Sequence, residues 1–200
     1  MRQTLLNSFR TALHGIARTL LSQRNMKIHV LIALLVIFFG MSVPLDLATR
    51  AALIFCIALV FLAEILNTAL EAIVDLYIGE FHRLAMVAKD AAAGGVLVLS
   101  VAAFFIFVDI CVISFPVMLQ NVDNILFFMG FGAILVALES IGFWWIKARW
   151  FTLIHTLLVL VLFAFIWQYA FDFIFWILGL LIAFLNIYTL YKHDFESPSA

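Results

Sequence analysis

The stretch Phe61-Leu-Ala-Glu-Ile-Leu-Asn-Thr-Ala-Leu-Glu-Ala-Ile-Val-Asp75 reads as a membrane-type helix carrying four polar side chains, Glu64, Asn67, Glu71 and Asp75. A charged side chain near mid-bilayer costs about 2.5–3.5 kcal/mol on insertion scales, so three acids in one span call for compensation by metal, cation, water or protonation. At about 100° per residue the four positions fall within an arc of roughly 80° and rise about 16 Å along one face. That face reads as a site, not a lipid contact.

The surrounding sequence places this helix in a bilayer. With 67% hydrophobic and 12% charged residues, the 200-residue chain has too little polar surface to cover a soluble globule. Its mean hydropathy is +1.21. Apolar runs at about 28–45, 51–78, 91–115, 125–146, 151–170 and 173–191 approach or exceed the roughly 17–25 residues of a spanning helix. The fold expected is all-α integral membrane, with an N-terminal amphipathic surface helix followed by about six transmembrane helices.

Alternating the connections puts Arg2, Arg10, Arg18, Arg24, Lys27, Arg83, Lys89, Lys147, Arg149 and Lys192 on one side and only Arg50 on the other. The positive-inside rule makes the first side cytoplasmic, with both termini there. Asp46, Asp109, Asp123 and Asp172 go to the opposite connections, and the turn from Gln168 to Asp172 is the tightest of them. The first 27 residues lack the continuous apolar core of a removable signal peptide. They read instead as a surface helix, with Leu5, Leu6, Phe9, Leu13, Ile16, Ala17 and Leu20 at helical spacing and Arg10 and Arg18 free for anionic headgroups. Cys56 and Cys111 offer neither metal-ligand spacing nor a disulfide framework and read as packing residues. A net charge of −1 gives no reason to expect a nucleic-acid partner.

Four segments are expected: a surface helix over 1–27, a three-helix core over 28–118, three additional transmembrane helices over 119–192 and a polar cytoplasmic tail over 193–200. The connection Gly79-Glu-Phe-His-Arg-Leu-Ala-Met-Val-Ala-Lys-Asp-Ala-Ala-Ala-Gly-Gly95 follows the Asp75 end of the ladder, and Lys89 and Asp90 are expected to open the next helix. A lysine beside several carboxylates suits a polyanion carrying a divalent metal, such as Mg-ATP: the metal meets the acids and the ammonium meets phosphate oxygens. Ala91, Ala92, Ala93, Gly94 and Gly95 permit close approach of a neighbouring helix or ligand. The same connection also reads, more plainly, as a positive-inside anchor with small-residue packing.

Four motifs carry a resemblance: Ser8-Phe-x-x-Ala-x-x-Gly15, Arg24-Asn-x-x-Ile-His29, Ala63-Glu-Ile-Leu-Asn-Thr-Ala-x-Glu-Ala-Ile-Val-Asp75 and Glu80-Phe-His-x-Leu-Ala-x-x-Ala-Lys-Asp-x-Ala-Ala-Gly94. In order and spacing they resemble the bacterial integral-membrane diacylglycerol kinase and undecaprenol kinase family over roughly residues 4–118. The resemblance implies an ATP- and Mg²⁺-dependent lipid kinase of the bacterial cytoplasmic membrane that lacks a P-loop, and no G-x-x-x-x-G-K-[ST] occurs in the chain. It further implies a homotrimer with active sites shared between subunits. Carried over by motif position, Glu64 would be the general base on the lipid hydroxyl, with Asn67 orienting the γ-phosphate or the lipid. Glu71 would bind the metal bridging the ATP phosphates. Asp75, His82, Lys89 and Asp90 would line the nucleotide site. The acceptor implied is a membrane lipid alcohol, diacylglycerol or undecaprenol, and Arg-Asn-x-x-Ile-His with Leu-Ala-x-x-Ala-Lys-Asp look more like the polyprenol-using members.

The chain departs from that pattern at Gln23, where the family usually has a Glu that shares the metal and contacts the nucleotide. An amide oxygen can ligate Mg²⁺ but brings no charge, so weaker metal binding is expected unless Glu80, water or the ATP phosphates compensate. The family's N-terminal Arg is replaced by Thr4, with Arg2 and Arg10 nearby along a helix. Glu139, His155 and Asn186 read as interhelical hydrogen-bonding groups or as a second polar patch. Trp144, Trp145, Trp150, Tyr188 and Tyr191 read as an interfacial belt, and His29 as a packed side chain or one reaching the site. Two other functions compete. A catalytically weak or silent relative, binding lipid or nucleotide or serving as an assembly subunit, would account for Gln23 and the added helices. A transporter would also put acids in a helix, but no inverted repeat is visible.

Overall fold

The computed structural model describes residues 5–77, 82–144 and 149–196, and all regular structure among them is helical. Eight α-helices follow in order: α1 (Leu5–Ser22), α2 (Arg24–Ser42), α3 (Leu47–Tyr77), α4 (Arg83–Ile113), α5 (Phe115–Gln120), α6 (Val122–Trp144), α7 (Arg149–Ile166) and α8 (Phe173–Glu196). A single 3₁₀ turn, Trp167–Tyr169, precedes α8. Helices satisfy their backbone groups internally, as a bilayer core without water demands. Among the described residues four helices are long and apolar enough to cross a membrane: Arg24–Ser42, Leu47–Tyr77, Arg83–Ile113 and Val122–Ile141. Within the last two expected spans the apolar stretches Ile154–Tyr169 and Phe173–Phe184 belong to the helical segments that begin at Arg149 and Phe173. Arg2, Thr4, Gly79, Glu80, Trp145 and Lys147 lie outside the described residues, as do the side chains of Trp144, Trp150, Asn186, Tyr188 and Tyr191.

The chain forms two compact units, Met1–Pro44 with Pro116–Ala200, and Leu45–Phe115. In this division α2 belongs to the same unit as α6, α7 and α8. In that unit α2 packs against α6 and α8, α1 against α2 and α8, and α7 against α6 and α8. Leu34, Ile37, Phe38 and Met41 of α2 are fully buried. Three glycines admit aromatic rings at these crossings. A Cβ added at Gly40 would stand 2.7 Å from the Phe175 ring, at Gly132 3.0 Å from Phe38, and at Gly179 2.9 Å from Phe163. The carbonyls at the end of α2 have no intrahelical donors. The Phe171 N–H donates to the Met41 carbonyl at 3.0 Å, and the Asn124 amide donates to the Ser42 carbonyl at 2.9 Å.

The tight turn before α8 is closed by Asp172, a buried carboxylate that accepts the N–H groups of Ile174 and Phe175 at 2.7 and 3.1 Å. Such an N-cap satisfies donors that the helix itself leaves open. Asp46 does the same for α3, accepting the Thr49 N–H at 3.0 Å and its hydroxyl at 2.7 Å. Those two bonds hold the Asp46 carboxyl below the ordinary aspartate range. The cap is therefore fully present above the ordinary aspartate pKa and is lost as pH falls through the lowered value.

The second unit is a helical hairpin in which α3 packs against α4. One expectation is corrected here. Lys89 and Asp90 do not open the helix: α4 starts at Arg83, behind an extended His82, so both lie about two turns inside it. Apart from Val87, the segment Arg83-Leu-Ala-Met-Val-Ala-Lys is made of strong helix formers without Gly or Pro, so local propensity carries the helix back toward α3. Asp109, expected in an outer connection, likewise lies within α4.

The glycine crossings make a direct test. Gly132→Leu should lower the thermal midpoint of the detergent-solubilised chain by several degrees, since overpacking costs about 1–3 kcal/mol. Gly130→Leu, on α6 with nothing near its Cβ position, should leave the midpoint unchanged or raise it slightly.

Candidate active site

The polar ladder stands on one unbroken helix, α3, as the sequence predicts. Burial declines along it. Glu64 is 1% exposed and Asn67 6%, Glu71 is half-buried, and Asp75 is exposed. The Asn67 amide donates to Glu71 Oε1 at 3.0 Å, one turn along the helix, which fixes both side chains on the same face. Asn67 Oδ1 is buried and has no hydrogen-bond partner among the described residues. The Thr68 hydroxyl turns back to the Glu64 carbonyl at 2.8 Å and so stays off the ladder.

From the opposite arm of the hairpin, the Lys89 ammonium pairs with Asp75 Oδ1. The sequence puts a lysine near the acids but does not pair it with a particular one. The pairing follows from the corrected start of α4, because Lys89 two turns inside one arm comes level with Asp75 near the end of the other. Asp90 is exposed beside Lys89, and exposed His82 precedes the first turn of α4. Glu64, Asn67, Glu71, Asp75, Lys89 and Asp90 thus belong to one hairpin. Gln23 and His29 belong to the other unit, where Gln23 is the half-buried, extended residue between α1 and α2 and His29 is a residue of α2.

No group of three or more His, Cys, Asp or Glu side chains able to hold a metal occurs among the described residues. The oxygen donors of the ladder nevertheless suit a hard cation. Mg²⁺ is commonly held by one or two carboxylates together with substrate phosphates rather than by a protein cage, and Glu71 and Asp75 supply such carboxylates. Cys56 and Cys111 are free, half-buried thiols.

A membrane protein whose helical hairpin carries a buried carboxylate and amide at one end of a ladder and an exposed acid–lysine pair at the other has a polar site graded from buried to exposed. The chain belongs to the prokaryotic diacylglycerol kinase family, whose pattern matches residues 10–112. It is 42% identical over 103 residues to a diacylglycerol kinase of Synechocystis sp., covering 51% of this chain and 59% of that protein. It is 37% identical over 108 residues to an undecaprenol kinase of Bacillus subtilis, covering 52% of this chain and 88% of the relative. A diacylglycerol kinase of Escherichia coli is 39% identical over 70 residues, which are 35% of this chain and 57% of that protein. The chain therefore spans little more than half the length of the two diacylglycerol kinases it matches. No solved structure matches it significantly.

The Asp75–Lys89 pair is solvent-accessible, with side chains 66% and 35% exposed, so it should contribute little to stability. Lys89→Met should shift the thermal midpoint by no more than about 2 °C, whereas Asn67→Leu, which removes the donor to Glu71 inside the hairpin, should lower it by about 2–6 °C. Thermal unfolding of both variants in the same detergent checks the order.

Proposed function

We propose that the chain phosphorylates the hydroxyl of a membrane lipid at the cytoplasmic face of a bacterial inner membrane, with ATP as donor and Mg²⁺ as the accompanying cation. The observation that carries this reading is the graded ladder: a buried Glu64 beside Asn67, then Glu71, then an exposed Asp75 paired with Lys89. Its deep end suits a lipid hydroxyl beneath hydrocarbon chains. Its exposed end suits a nucleotide arriving from water.

In this reading Glu64 is the general base that takes the hydroxyl proton, and Asn67 orients the acceptor or the γ-phosphate through a buried amide. Lys89 exchanges Asp75 for phosphate oxygens. Asp75, His82 and Asp90 surround the nucleotide, and Glu71 is the carboxylate that would hold the metal, with Gln23 as a neutral oxygen donor. When bound, Mg²⁺ would neutralise charge on the transferring phosphate. Phosphoryl transfer demands chiefly positioning and charge neutralisation, both within reach of such a carboxylate and lysine set. Undecaprenol is the favoured acceptor and diacylglycerol the second, consistent with 37% identity to an undecaprenol kinase along 88% of that relative. A homotrimer with shared sites accompanies the proposal, as do six transmembrane spans with both termini cytoplasmic.

The test is phosphate transfer from ATP by the purified chain in mixed micelles, with undecaprenol and diacylglycerol supplied separately. Lipid-dependent product should form, more from undecaprenol, and Glu64→Gln should reduce kcat by at least ~10²-fold with little change in ATP KM. Absence of product from either lipid across a wide Mg²⁺ range would favour a binding or assembly role instead. Gln23→Glu should lower the Mg²⁺ concentration needed for half-maximal activity; an unchanged requirement would remove Gln23 from the metal site.

A further inference from the structure

The Asp75–Lys89 pair fixes the register of the hairpin, and that register can be followed inward along both arms. Glu64 precedes Asp75 by eleven residues on α3, and Ser100 follows Lys89 by eleven residues on α4. Eleven residues make three turns to within about 20°, so each residue stays on the stripe that carries its charged neighbour. Both helices run unbroken through the interval. Equal steps along opposed arms keep the pairing, and Ser100 comes level with Glu64 on the same side of the interface. The burial pattern follows the same two stripes: Leu53, Val60 and Glu64 on α3, Val96 and Ile110 on α4.

Beyond Lys89 the stripe of α4 continues through Ala92, Val96, Ala103, Phe107 and Ile110, all apolar, with Ser100 as its polar member. The Ser100 hydroxyl donates to the Val96 carbonyl at 2.8 Å, the back-bond common for serine within a helix. Its proton is thereby directed away from the interface, and its oxygen keeps the capacity to accept. The chemistry proposed for Glu64 calls for such a group. When the lipid oxygen takes the γ-phosphoryl group and ADP leaves, the hydroxyl proton passes to the Glu64 carboxylate, which becomes a carboxylic acid with one O–H. A donor that serves the carboxylate does not serve this new proton. In an apolar interior an unmet O–H is costly, so an acceptor beside it favours the transfer.

We infer that Ser100 is a positioning residue whose oxygen accepts the proton that Glu64 takes from the lipid alcohol. The inference rests on the reading of Glu64 as general base and adds a group from the second arm of the hairpin to it.

The experiment compares the parent with Ser100→Ala and Ser100→Thr in the mixed-micelle assay with undecaprenol and diacylglycerol. Ser100→Ala should lower kcat about tenfold while the KM values for ATP and lipid stay within about twofold and the thermal midpoint within about 2 °C. Ser100→Thr should keep kcat near the parent value, because threonine makes the same back-bond, as Thr68 does to the Glu64 carbonyl. Parental kcat in Ser100→Ala with an active parent overturns the inference alone. So does a threonine variant as impaired as the alanine one, a loss confined to lipid KM, or a loss that follows a lowered midpoint. No product from the parent with either lipid removes the base reading and this inference with it. The register has its own check, independent of activity. In a Cys56→Ala/Cys111→Ala background, Glu64→Cys/Ser100→Cys should form an intramolecular disulfide with copper phenanthroline, and Glu64→Cys/Val98→Cys, with Val98 on the exposed face of α4, should not. Failure of the first pair to close, or equal closure of the second, overturns the facing of Ser100 and Glu64.

Discussion

A bilayer interior supplies no water to stabilise a polar group, and that constraint organises the chain at every level. It makes all the described regular structure helical, because a helix alone satisfies its own backbone along a single segment. It also turns each buried side-chain charge into a structural problem that a second element must solve. The chain addresses this twice with different chemistry. In the hairpin the acids run outward along α3 until Asp75 reaches the ammonium of Lys89. In the other unit Glu139 is enclosed against an imidazole from the next helix. The first arrangement is graded and ends exposed; the second is closed.

These two solutions correspond to two uses of α-helical surface. More than half of the α2 span is buried within the chain, 56%, against 11% for α4. The buried surface of α2 is matched by aromatic rings inserted over Gly40, Gly132 and Gly179, contacts that dispersion rewards only when fit is close. The added C-terminal helices thus have a physical role whatever the chemistry elsewhere: they supply α2 with a protein environment in the same chain. The Bacillus subtilis relative is matched along 88% of its length by about half of this chain, so α2 meets here a partner that the matched segment alone does not contain.

Much of this is legible in the amino-acid sequence. The i, i+3, i+7 spacing of Glu64, Asn67 and Glu71 needs only a helix to become a face, and apolar run length locates the helices within a few residues. The start of α4 is harder to place, because its cluster of charged and small residues resembles a connection although Arg83 to Lys89 has the composition of a helix. The association of α2 with α6 and α8 is hidden for another reason. The helices of that core are apolar around most of their circumference, so periodicity gives no face to match, and the glycine–ring crossings depend on positions far apart in the chain. Glu139 and His155 stand out as costly residues, but their pairing rests on the packing of α6 against α7.

Under the proposed function, the order of burial along α3 bears on how one helix could serve two phases. A lipid alcohol cannot leave the hydrocarbon far enough to meet a nucleotide in water, and a nucleotide cannot enter the hydrocarbon. A site joining them has to span the boundary, with a group able to take a proton on the apolar side and charge compensation on the aqueous side. Three turns of helix, about 16 Å, cover that distance. Within them Asn67 and Glu71 hydrogen-bond to each other at 3.0 Å, linking the buried end to the exposed one through a fixed contact. On that proposal the spacing of these residues matches the distance between the two phases.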